Sequence, residues 1–82
     1  IWRVVDDEDL SEEADKIAVY FAQQPTKGLA SIKHALHASQ SNDLEAQLDL
    51  ERDLQRSCGQ SDDYKEGVAA FLEKRAPEFK GR

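Results

Sequence analysis

Four stretches of this sequence place apolar residues at helical spacing, and each stretch is bounded by residues that break a helix. That pattern leaves little room for a sheet. In the first stretch, roughly Glu8 to Gln23, residues Leu10, Ala14, Ile17, Ala18 and Phe21 fall at i, i+4, i+7, i+8 and i+11. Acidic residues precede it, as suits the partial positive charge of a helix N-terminus. Pro25 breaks it, and Thr26 is placed to cap a second helix with Leu29, Ile32, Ala35 and Leu36 on one face. Ser39 to Asn42 form a polar stop and the cap of a new helix. In the third helix Leu44, Leu48, Leu50, Leu54 and Cys58 make a stripe about 160° wide, broader than a lone surface helix needs. Gly59 is expected at its C′ position. Ser61, Asp62 and Asp63 open a fourth helix with Tyr64, Val68, Phe71 and Leu72 on its stripe, and Pro77 stops it. Only Ile1 to Val5, β-branched and aromatic, read as extended. The expected fold is all-α: about four amphipathic helices in one helical domain over residues 8–82, preceded by an extended segment over residues 1–7.

A chain of 82 residues holds one thin core at most. Four apolar stripes are generous for it, so some faces are expected to be covered by another part of the protein or another subunit. A self-sufficient acidic helical module that binds a partner through its leucines is the alternative. The chain has no methionine and opens inside the apolar run Ile1-Trp2-Arg3-Val4-Val5, as a piece of a longer protein would.

The net charge is -6, distributed as -5 over residues 1–24, +2 over 25–39, -5 over 40–63 and +2 over 64–82. Phosphates repel such a chain, which argues against nucleic acid and anionic membranes as partners. An anionic ligand would approach the second or fourth segment. No apolar run approaches the roughly 20 residues of a membrane span. The single cysteine excludes an intrachain disulfide, and a reducing, cytoplasmic location is expected. Cys58, on an apolar stripe, reads as a buried structural thiol.

Catalytic constellations are missing. There is no Ser-His-Asp order, Cys-His pair or GxSxG turn. His34 and His37 share a helix face, but a metal would need more ligands, and Lys33 makes that face basic. Asp7, Glu8, Asp9 and Ser11 cannot open an EF-hand loop, because Glu12 stands where glycine is required and Ala18 where glutamate is. Ser41-Asn42-Asp43-Leu44 lacks the Asp-Ser-Leu order that carries the prosthetic arm of acyl carrier proteins.

The run Glu66-Gly67-Val68-Ala69-Ala70-Phe71-Leu72-Glu73-Lys74-Arg75-Ala76-Pro77-Glu78-Phe79-Lys80-Gly81-Arg82 resembles the C-terminal pattern of the enoyl-CoA hydratase/isomerase (crotonase) superfamily, close to E-G-x-x-A-F-x-E-K-R-x-P-x-F-x-G. Upstream, Ile1 to Val5 resemble the segment leaving the family's core, and Leu10 to Ala14 the helix after it. Gln24-Pro25-Thr26 with Ile32 to Leu36 resemble a further family helix. Ser39 to Leu48, followed by Glu51, look most like the phenylacetate-pathway isomerases of 2-(1,2-epoxy-1,2-dihydrophenyl)acetyl-CoA. Asp6 departs from the proline many members carry.

The resemblance implies an acyl-CoA hydratase or isomerase whose catalytic core lies outside these residues. It implies no cofactor beyond the coenzyme A thioester substrate. These helices would then be the C-terminal region that packs subunits into homo-oligomers, trimers or hexamers, and would be inactive alone. It also implies that Phe71 and Lys74 lie near the CoA adenine and phosphates, with Arg75 as a weaker phosphate candidate. No residue here is implied to be catalytic. The bland alternative keeps Phe71 in the core stripe and Lys74 as a solvated charge at a helix end.

Overall fold

The computed structural model describes residues 1–82 and is all-helical: α1 (Leu10–Ala22), α2 (Thr26–Ser39), α3 (Leu44–Gly59) and α4 (Asp62–Glu73). Residues 1–6 have no regular structure, and a turn over residues 7–9 leads into α1, two residues later than the acidic run suggested. Arg3 ties this segment to α1 through Glu13 at 2.8 Å.

Helix ends follow local chemistry. The cap of α3 is Asp43, one residue past the Ser39–Asn42 stretch expected to supply it: its carboxylate accepts from the Ala46 N–H at 2.8 Å. Ser61 caps α4 by accepting from the Tyr64 N–H at 3.0 Å, and its own hydroxyl donates to the Cys58 carbonyl at 2.6 Å, so one side chain serves two helix ends. Two further expected caps are corrected. Thr26 is the first helical residue and Pro25 holds the cap position, with no side-chain cap bond. Proline suits the spot because its missing N–H would be unpaired there in any case. Gly59 is the last helical residue, not the residue after the helix. The Gln60 N–H still reaches the Arg56 carbonyl at 3.2 Å, so α3 needs no left-handed residue to end.

Helix α3 is the spine: α2 packs on one side of it and α4 meets it further along, whereas α1 has no comparably packed partner. Between α2 and α3, Gln47 donates to the Ala35 carbonyl at 3.1 Å and the Cys58 thiol sits 3.4 Å from the Ser31 hydroxyl. Cys58 is half-buried, not fully buried as its stripe suggested.

The assembly is a slab of 45 × 39 × 17 Å with a radius of gyration of 16.1 Å, against about 12 Å for a compact chain of this length. Its accessible surface is 6878 Å², roughly 2,000 Å² more than a globular monomer of this mass exposes. Ala70 is the one fully buried apolar residue. Leu36, Leu44, Leu48, Phe71 and Leu72 all stand more than half exposed, so the amphipathic stripes exist but cover little of one another.

Candidate functional site

The chain reverses after α4, and residues 75–82 run back along that helix. The reversal begins at Lys74, whose φ of 56° and ψ of 41° make it the one non-glycine residue in the left-handed region. The Arg75 N–H bonds the Ala70 carbonyl at 3.0 Å and the Lys74 N–H the Phe71 carbonyl at 3.3 Å. This pair of bonds is the Schellman motif, which usually has glycine where Lys74 stands.

Charged groups then clasp the tail. Glu66 receives two bonds from the Arg75 guanidinium, at 2.6 and 3.0 Å, and one from the Glu78 N–H at 2.8 Å. Arg75 also reaches Glu73 at 2.6 Å. Farther on, the buried Asp63 carboxylate accepts from the Lys80 N–H at 2.6 Å and the Gly81 N–H at 2.9 Å, while its own N–H donates to the Arg82 carbonyl at 2.8 Å. Of the two glycines here, Gly81 is the one the geometry requires. The Phe79 ring lies over Gly67, where an added Cβ would sit in ordinary contact with it at 3.6 Å. One on Gly81, at φ 77°, would meet the Thr26 hydroxyl at 2.5 Å.

The clasp raises one wall of an apolar groove of about 420 Å³ between the start of α2, α4 and the tail, lined by Pro25, Tyr64, Val68, Phe71, Leu72 and Phe79 among others. Phe71 is 82% exposed, so its place in a core stripe is corrected: within this chain it is a free aromatic face. Lys74 does not line the groove. Its left-handed backbone takes it out of the helical register, so the i, i+3 spacing does not set its direction relative to Phe71. Arg75, read from sequence as a secondary phosphate candidate, is already occupied by Glu66 and Glu73. His34 and His37 stand on an exposed face of α2. Sequence reasoning missed the roles of Glu66, Asp63 and Phe79. The available signal was an unexplained density of charge and glycine on both sides of Pro77.

The Arg75 guanidinium, and then the Glu78 N–H, hold the Glu66 carboxyl far below its usual 4.5, at about 2. A carboxyl depressed on folding adds stability that is complete above its unfolded pKa and is lost as pH falls through the folded value. The clasp is therefore expected to hold at neutral pH and weaken between about 4.5 and 2. The Glu66 carboxyl carbon, followed by NMR, should titrate near the lower limit. A midpoint near 4.5 would show that the clasp does not form.

The sequence matches the enoyl-CoA hydratase/isomerase family over residues 1–82. The chain belongs to that family. The 1,2-epoxyphenylacetyl-CoA isomerase of Escherichia coli strain K12 is 55% identical over 82 residues, covering 100% of this chain and 31% of the relative. A probable enoyl-CoA hydratase of Rhodobacter capsulatus is 49% identical over all 82 residues and 32% of its own length. Among solved structures, an enoyl-CoA hydratase of Geobacillus kaustophilus HTA426 superposes with a TM-score of 0.91 at 34% identity, covering 98% of this chain and 30% of that one. The chain thus spans about 31% of the length of the curated relatives it matches. The match runs over residues 1–82, so it takes in the upstream stretches as well as the tail signature. No helix is long and apolar enough to cross a membrane.

Proposed function

We propose that this chain is part of an enzyme that binds an acyl-CoA thioester and stabilises its enolate, and that the catalytic groups lie outside these 82 residues. The helices contribute oligomer packing, as trimer or hexamer, and part of the CoA-binding surface. The observation that carries this reading is 55% identity, along the whole chain, to a 1,2-epoxyphenylacetyl-CoA isomerase. It favours an epoxide-bearing aromatic acyl-CoA as substrate and isomerisation over hydration. The thioester is the substrate, and no resident cofactor is invoked. Enolate chemistry calls for preorganised N–H donors at the thioester oxygen, each worth about 3 kcal/mol of transition-state stabilisation. The groove residues here are apolar and suit the non-reacting part of the ligand instead.

Phe71 and Lys74 are the assigned ligand contacts, an exposed aromatic face for adenine and an ammonium for phosphate. The full natural chain, assayed in parallel with 1,2-epoxyphenylacetyl-CoA and a linear trans-2-enoyl-CoA, is expected to turn over the first faster. No turnover of either would refute the enzymatic reading. Phe71→Ala and Lys74→Ala are each expected to raise KM for the CoA thioester about tenfold, the worth of one charged or stacked contact. Unchanged KM in both would remove the assignment.

A further inference from the structure

Lys74 stands at a position where glycine is the usual residue. A left-handed backbone is strained for a residue with a Cβ and persists only where the surroundings enforce it. The surroundings here are explicit. Arg75, the next residue, is gripped by Glu66 through two bonds and by Glu73 through a third, while its N–H closes the turn onto Ala70. The bidentate geometry fixes direction as well as distance. Glu66 also holds the Glu78 N–H, so the same carboxylate anchors the returning tail. Lys74, alone among the three residues Glu73, Lys74 and Arg75, has no ion-pair partner.

We propose that Glu66 and Arg75 are positioning residues for Lys74: their ion pair holds the left-handed turn that fixes where the Lys74 ammonium leaves the end of α4. This rests on the reading that Lys74 meets the anionic nucleotide end of the ligand. The strained turn then has a use. A lysine continuing the helix would leave along the helix flank, whereas the turn gives Lys74 a different Cα–Cβ direction, and the Glu66–Arg75 pair beside it offsets the strain.

The test uses the full natural enzyme and two substrates with the same acyl group, a CoA thioester and the pantetheine thioester that lacks the nucleotide phosphates. The readout is the preference, KM for the pantetheine thioester divided by KM for the CoA thioester. Lys74→Ala is expected to lower this preference about tenfold, and Glu66→Gln and Arg75→Gln to lower it about threefold to tenfold. Glu13→Gln breaks the ion pairs that Glu13 makes with Arg3 and Lys16 and is expected to leave the preference as it was. A purely structural role for the pair would shift both KM values together and leave their ratio unmoved. If Lys74→Ala lowers the preference and neither Glu66→Gln nor Arg75→Gln does, the positioning role is overturned while the ligand assignment survives. If Lys74→Ala leaves the preference unchanged, both fall. A preference that drops equally in Glu13→Gln overturns the positioning role as well.

Discussion

The 82 residues on their own are expected to melt without a cooperative transition and to self-associate at micromolar concentration. Ala70 is their one buried apolar residue, and α1 has no packed partner. Isolated helices of 13 residues are marginal in water, so α1 should be largely unfolded in the separate chain. The excess exposed surface, roughly 2,000 Å², is more than the ~800 Å² one partner contributes to a standard interface. Leu36, Leu44, Leu48, Phe71 and Leu72 would meet water at about 25 cal/mol for each Å² left uncovered. Calorimetry together with sedimentation gives the answer. A sharp two-state melt of a monomer would show that the bare stripes need no cover, and the stand-alone module would return as the better reading.

Replacing Asp63 with alanine is expected to cost about 2–3 kcal/mol and to free the last residues of the tail. The carboxylate is buried and accepts from two backbone N–H groups, and bonds to a charged acceptor are worth about 1.5–3 kcal/mol each. The loss stays below the sum of two such bonds because the released tail can bond water. It lies in the first turn of α4, where the helix dipole favours negative charge, so that contribution is lost as well. Asp63→Asn keeps one acceptor oxygen and should cost about half as much. Hydrogen exchange at the Lys80 and Gly81 amides reads the effect directly in the full natural chain. Protection unchanged in Asp63→Ala would show that the tail is held by Phe79 and the Glu66 clasp alone.

The four helices could be read from the sequence because their signals are local. Apolar spacing, Ser61 before a helix start, and Pro25 and Pro77 near helix ends act within one or two turns of chain, although the cap of α3 falls on Asp43, just past the Ser39–Asn42 stretch expected to supply it. The errors were local as well. Thr26 was misassigned by one position and Gly59 by two: Pro25 takes the cap position of α2, and α3 runs on through Gly59 and closes with the Gln60 N–H on the Arg56 carbonyl. The tail signature could be recognised from its order of residues, yet its physical content could not. Glu66 meets Arg75 and Glu78, and Phe79 comes to lie over Gly67, only after the chain has turned at Lys74. A pairing across a reversal leaves no periodic trace.

Spacing and charge along the chain therefore determined four helices, their approximate ends and the stripe each one carries. The fold alone decided which stripes are covered, since burial depends on what packs against a face and not on the face itself. That is why Phe71, apolar and on the stripe of α4, is a free surface in this chain, while Asp63, charged and acidic, is buried. The left-handed turn at Lys74 belongs to the same class of facts: helix propensity favours continuing through lysine, and bonds from residues on both sides of the turn override it.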